Sequence, residues 1–146
     1  MKAMCIGENG NFAWQDVPDP VCHGGFDVKI AVKACAVNRA DLMQRAGTYA
    51  PPEGWPQWPG LECAGDVLEC PANGRFKVGD KVCALLGGGG YAEQVVVPEG
   101  MVMPMPRGFV KNNTSPGLAP ELVNTRSGWT KPVTANPYLG SSSWML

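Results

Sequence analysis

The feature that most constrains this chain is the rate at which glycine and proline interrupt it. Nineteen glycines and 14 prolines fall within 146 residues, and the runs between them suit short strands better than long helices. From Asp27 to Ala34 the residues alternate, with Val28, Ile30, Val32 and Ala34 on one face and Asp27, Lys29, Ala31 and Lys33 on the other. That pattern predicts a half-buried strand. Met1 to Ile6 and Phe12 to Val17, joined by the turn-forming Glu8-Asn9-Gly10-Asn11, predict an opening strand pair that Pro18 and Pro20 bring to an end. Leu61 to Cys70, Lys81 to Leu86, Tyr91 to Val97 and Met101 to Met105 read as further strands, with a turn over Phe76 to Asp80. Many short strands punctuated in this way indicate an all-β barrel or sandwich.

One helix stands out against this background. Asn38 is suited to cap a short helix over Arg39 to Arg45, with Asp41 near the positive end of its dipole and Gly47 just past its last turn. Between Thr48 and Gly60, the residues Pro51, Pro52, Gly54, Pro56 and Pro59 break any regular pairing, while Trp55 and Trp58 make the segment too aromatic for a free linker. A packed surface loop is expected there. The run Gly87 to Gly90 is read as a tight loop between strands, since no helix follows it and no lysine closes it as in a phosphate-binding loop.

Charge excludes several functions. Twelve Lys and Arg against 13 Asp and Glu leave a formal net charge of −1, so no broad positive field exists to collect nucleic acid or an anionic membrane. Met1 to Gly10 has neither the charged lead nor the apolar run of a secretory signal, and no apolar stretch approaches the roughly 20 residues needed to cross a bilayer. A soluble, cytoplasmic protein is expected, in which the two glycosylation-like triplets at Asn112 and Asn113 carry no weight. The six cysteines, Cys5, Cys22, Cys35, Cys63, Cys70 and Cys83, are even in number, which fits a disulfide-stapled secreted domain. The expectation of a reducing compartment favours free thiols instead, four of them acting as small buried hydrophobes in strands. No pair is spaced as CxxC and His23 is the only histidine, so no zinc site is expected.

Composition changes at about Gly108. Residues 109–146 are rich in Asn, Ser, Thr, Pro and Gly and scatter Trp129, Tyr138 and Trp144 without a period, which predicts an irregular tail. The expected division is a folded domain over 1–108 and this tail over 109–146.

Four ordered blocks carry a resemblance. The first is Val37-Asn38-Arg39-Ala40-Asp41-Leu42-Met43-Gln44-Arg45 with Gly47 and Tyr49-Ala50-Pro51-Pro52, and the second is Gly60-Leu61-Glu62-Cys63-Ala64-Gly65. Val78-Gly79-Asp80-Lys81-Val82 follows, then Gly87-Gly88-Gly89-Gly90-Tyr91-Ala92-Glu93 with Val97-Pro98. In order and spacing they resemble the zeta-crystallin-like quinone oxidoreductases of the medium-chain dehydrogenase/reductase superfamily. The resemblance covers roughly residues 1–108 and implies a mainly β fold, a GroES-like, partly open β-barrel with one short helix.

It also implies a chemistry. Such reductases pass hydride from NADPH to a quinone or enone, and the protein supplies geometry and hydrogen bonds to the oxygen that gains charge. At positions where zinc-dependent relatives look to carry cysteine and histidine ligands, this chain has Asn38 and Leu61, which places it on the zinc-free side. By resemblance, Asn38 and Tyr49 line the pocket where nicotinamide meets substrate, as catalytic and as nicotinamide-side cofactor-binding residues. An asparagine amide can donate to a developing enolate, and a tyrosine offers a donor and an apolar face to a planar ring. The same residues also have plain structural uses, Asn38 as a helix cap and Tyr49 as a cover on the core edge. Glu62 is expected to form a structural ion pair.

Relatives continue into a Rossmann domain that grips the cofactor pyrophosphate. No Gly-rich turn after a strand is found beyond Gly108, so the Rossmann domain is expected to be absent and the chain truncated, whether by splicing, frameshift or gene-model error. NADP(H) belongs to the intact family and is not expected to bind these residues stably. The alternative reading is a non-catalytic interaction module, docking on a full-length reductase or on a second copy through the face left open, which would give a homo-oligomer.

Overall fold

The structure, a computed structural model, describes residues 1–25 and 27–106. Among these, seven strands and one short helix follow in the order β1 (Lys2–Ile6), β2 (Phe12–Asp16), β3 (Asp27–Cys35), α1 (Arg39–Arg45), β4 (Glu62–Glu69), β5 (Lys81–Leu85), β6 (Gln94–Pro98) and β7 (Val102–Pro104), with a single 3-10 turn, Glu99–Met101, before the last strand. The strand pattern expected from alternation and glycine punctuation is present, with Tyr91 lying outside the strand that starts at Gln94 rather than within it. The predicted tail, 109–146, lies outside the described residues, as does the placement of a domain boundary near 108.

β1 and β2 pair antiparallel across the Glu8–Asn11 turn, where Gly7 N–H donates to Asn11 O at 2.8 Å and the Asn9 side-chain oxygen accepts from Asn11 N–H at 3.0 Å. The other five strands form one antiparallel sheet in the order β6-β3-β4-β5-β7, curled as a half-barrel. Ile30, Val67, Val82, Val95 and Val102 belong to its buried hydrophobic core, each burial being worth about 1.5–3 kcal/mol. The Ala3 to Ala92 bridge, with Met4 N–H donating to Tyr91 O at 2.7 Å, ties the hairpin to the approach to β6.

β3 keeps its alternation only as far as Val32. Its partners run Val32 to Gly65 and then Ala34 to Ala64, so Lys33 is an extra residue bulged out of the ladder. The bulge flips the remaining side chains, and Cys35 rather than Ala34 becomes the buried residue, 1% exposed. This corrects the expectation that Ala34 shares the inner face of Val28 and Ile30. Leu68 is the matching extra residue of β4, between the pairs Ile30 with Val67 and Lys29 with Glu69.

The loop before β4 is packed, as its tryptophans predict. Its chain runs alongside the glycine run: Gly89 N–H donates to Trp58 O at 2.8 Å, Gly90 N–H to Gly60 O at 3.0 Å, and Trp58 Nε1 to Gly89 O at 3.1 Å. A Cβ on Gly87 would stand 2.8 Å from the Trp55 ring. Bare backbone is therefore required where an indole lies flat on it.

Candidate functional site

The helix α1 builds the site. Its start is a reciprocal cap between Asn38 and Asp41. Only one half is a full hydrogen bond: Asn38 N–H donates to Asp41 Oδ2 at 2.6 Å, while Asp41 N–H is taken by the Asn38 backbone oxygen at 3.0 Å. At the far end Gly47 adopts φ +73°, letting Gly47 N–H reach Gln44 O at 3.0 Å and Thr48 N–H reach Met43 O at 2.9 Å.

Asp41 is 2% exposed, which is unusual for a carboxylate. Its Oδ2 also accepts from the Tyr91 hydroxyl at 2.7 Å, and Tyr91 is 4% exposed at the end of the glycine run. Burial holds the Asp41 carboxyl above the usual carboxylate range, against the pull of Tyr91 and of the Asn38 and Gly60 amides, which favour its charged form. Burial, reinforced by the hydrogen bond to Asp41, pushes the Tyr91 phenol well above its ordinary value. Gly60 meets Tyr91 from the other side at φ +110°, where a Cβ would fall 2.4 Å from the Tyr91 nitrogen.

Of the two residues expected to line the pocket, Asn38 is half-buried at the helix start, and its Nδ2 is shielded without a hydrogen-bond partner among the described residues. Tyr49 is 44% exposed beyond the helix end. Asn38 immediately precedes the seven-residue α1, and Tyr49 lies four residues past its last residue, beyond the Gly47 turn. Two concavities are lined elsewhere, one by Gly10, Leu42, Arg45 and Ala46, the other including Cys22, Asp27, Glu69 and Cys70. Val37, Leu42 and Met43, before and on α1, are exposed as well.

Glu62 forms no ion pair among the described residues. It opens β4 half-buried, and its backbone oxygen accepts from Ala36 N–H at 3.3 Å. All six cysteines are free. No three His, Cys, Asp or Glu side chains among the described residues come together as metal ligands. Asp41 and Tyr91 are the residues that sequence reasoning left without a joint role. Their only signal was that each lies inside a recognisable block, fifty positions apart.

A mainly β chain with a curled half-barrel sheet and one short helix has the architecture of a GroES-like domain. Residues 24–107 match the alcohol dehydrogenase GroES-like domain, and the chain belongs to that family, within the medium-chain dehydrogenase/reductase superfamily. It is similar to the quinone oxidoreductase of Rattus norvegicus, 38% identical over 93 residues, which cover 62% of this chain and 27% of that protein. It is 38% identical over 82 residues to the synaptic vesicle membrane protein VAT-1 homolog-like of Homo sapiens, covering 55% and 19%. Among solved structures, the quinone oxidoreductase from Thermus thermophilus, also described in its complex with NADPH, is 33% identical with a TM-score of 0.60, covering 76% of this chain and 34% of that one. The chain thus spans about a quarter of the rat relative and a fifth of the human one. Among the described residues no helix is long and apolar enough to cross a membrane.

Proposed function

We propose that residues 1–108 form the substrate-side wall of a zinc-free reductase that delivers hydride from NADPH to a quinone or enone, with Asn38 and Tyr49 at the reacting face. The observation that carries this reading is the shielded Nδ2 of Asn38, which has no partner among the described residues. Leaving a buried donor without an acceptor costs about 1–3 kcal/mol, and such groups in native structures call for an explanation. A carbonyl oxygen that gains charge would remove that cost. The asparagine donates without titrating, so its help does not depend on pH. Tyr49, half open to solvent, offers the flat apolar face that a planar ring needs.

The donor chemistry supports a zinc-free site. Asn38 and Leu61 stand where ligands are carried in zinc-dependent relatives, and leucine offers a metal no electron pair. For the dinucleotide, the described residues fit the nicotinamide side alone, through Asn38 and Tyr49. The nicotinamide supplies the hydride when bound. The phosphates need a glycine turn opening a helix after a strand, whereas the glycine run here leads through Tyr91 into β6. Remote binding energy of that kind positions the reacting ring, so these 146 residues by themselves are expected to turn over no quinone with NADPH. A cytoplasmic location and the division at 108 belong to the same proposal.

The test is a titration of the chain with duroquinone, a fully methylated quinone, followed by nitrogen-15 NMR. Saturable shifts at the Asn38 side-chain amide and along α1, lost in Asn38→Ala, are the expected result. Shifts absent at millimolar quinone, or confined to residues away from α1, would overturn the proposal. A second reading, an interaction module, is favoured by the exposed Val37, Leu42, Met43 and Tyr49 beside α1. Light scattering behind size exclusion separates the two, since a monomer at high concentration counts against self-association.

A further inference from the structure

Asn38 is held by more than its own helix. Its N–H donates to Asp41 Oδ2 at 2.6 Å, and the same oxygen accepts from the Tyr91 hydroxyl at 2.7 Å. Its backbone is extended, φ −118° and ψ 152°, the conformation that a helix-capping residue adopts. Two donors on one carboxylate oxygen fix where the carboxylate sits, and the carboxylate fixes the Asn38 backbone. Charge-assisted bonds of this length are the stronger kind.

The anchor of this relay is itself immobile. Tyr91 N–H donates to Pro59 O at 2.9 Å and Tyr91 O accepts from Met4 N–H at 2.7 Å. Its ring is buried, and its hydroxyl also lies 3.4 Å from Ala36 O. The position of Asn38 is therefore set from the glycine loop, through a phenol and a carboxylate, rather than from α1 alone. Helix capping accounts for the Asn38 N–H bond to Asp41 but not for the Tyr91 hydroxyl on the same carboxylate oxygen.

Resting on the function proposed above, we infer that Asp41 and Tyr91 are positioning residues that act through Asn38, aiming its side-chain amide at the substrate oxygen. Neither touches substrate. Tyr91→Phe keeps the buried ring and removes the hydroxyl bond to Asp41, so the carboxylate that holds the Asn38 backbone N–H loosens and the side-chain amide it carries moves with it, while the barrel stays folded. A purely structural Tyr91 would lower stability and leave that amide where it was.

The experiment is a double-mutant cycle on duroquinone affinity. Tyr91→Phe is expected to weaken binding about fivefold in the chain that retains Asn38 and to leave it within about twofold in the Asn38→Ala background. An equal loss in both backgrounds would overturn the inference. A readout that needs no ligand runs beside it: the two Asn38 side-chain amide hydrogens, assigned by their disappearance in Asn38→Ala, should be sharp and slow to exchange in the parent. In Tyr91→Phe and in Asp41→Ala they should shift and exchange faster, and an unmoved amide in either folded variant sinks the inference even if melting temperature falls. If the parent binds no quinone, the proposed function fails, and the positioning inference stands or falls on the amide signals.

Discussion

Replacing Gly60 by alanine tests how the loop before β4 is seated on the glycine run. Gly60 sits at φ +110°, a region that costs a residue with a Cβ about 1–3 kcal/mol. The new methyl would also fall 2.4 Å from Tyr91 N and 2.6 Å from Gly90 Cα, both of them backbone that cannot rotate away. Relief requires the two segments to part, which weakens the bonds from Gly90 N–H to Gly60 O and from Tyr91 N–H to Pro59 O, 3.0 and 2.9 Å long. At about 0.5–1.5 kcal/mol each, the expected loss is about 2–6 kcal/mol in a domain whose whole stability is of order 5–15 kcal/mol. Two controls separate strain from overlap. Gly47, at φ +73° with nothing within 4 Å, carries strain alone, about 1–2 kcal/mol, and Gly100, with neither a positive φ nor a near neighbour, should change stability by about 0.5 kcal/mol or less. Equilibrium urea unfolding followed by tryptophan fluorescence ranks the three. A Gly60→Ala variant no costlier than Gly47→Ala would refute the close approach of the two segments.

Three further outcomes are expected. Because burial raises the Asp41 carboxyl above its ordinary value, the folded chain binds that proton more tightly than the unfolded one, and the stability difference between the parent and Asp41→Asn should fall as pH rises out of the ordinary carboxylate range. A difference that is flat or grows with pH contradicts this. Burial pushes the Cys35 and Cys63 thiols up to about 12, so at pH 8 each holds about a thousandfold less thiolate than an ordinary cysteine. Iodoacetamide followed by peptide mass mapping should spare both until urea is added, and prompt labelling of either in the native chain would count against it. Glu99→Ala removes the carboxylate that accepts Arg75 N–H at 2.6 Å and pairs with Arg75 Nε at 3.6 Å. A loss of about 2 kcal/mol is expected for a bond to a buried charged acceptor, read by the same urea unfolding, and no loss would show the 3-10 turn to be held by the Arg75 guanidinium on the Glu99 backbone oxygen instead.

What could be read from the sequence followed the range of the interactions involved. The helix Arg39–Arg45 was legible to the residue because its cap, its acidic first turn and Gly47 all lie within a few positions of it. β3 was legible as far as Val32, since alternation is local, and illegible beyond it, since the bulge at Lys33 is set by how β4 lies alongside. The packed loop was legible from Trp55 and Trp58, but its seat on Gly87–Gly90, some thirty residues away, was not. Asn38 was singled out by the resemblance of its block, whereas the Asp41 to Tyr91 bond joins residues fifty positions apart. A single sequence gives no measure of such a pairing. The ion pair expected of Glu62, which is not formed among the described residues, is illegible for the same reason, because whether a cation approaches a strand residue depends on the strands beside it.

Tyr91 has a last consequence for how the domain comes apart. Through one residue, the loop at Pro59, the first strand at Met4 and the helix at Asp41 are fastened to a common point, so an opening that displaces Tyr91 releases all three. Hydrogen exchange at the Met4 and Tyr91 amides should then proceed at a shared rate, through one concerted opening, while the outer hairpin edge at Trp14 exchanges independently and sooner.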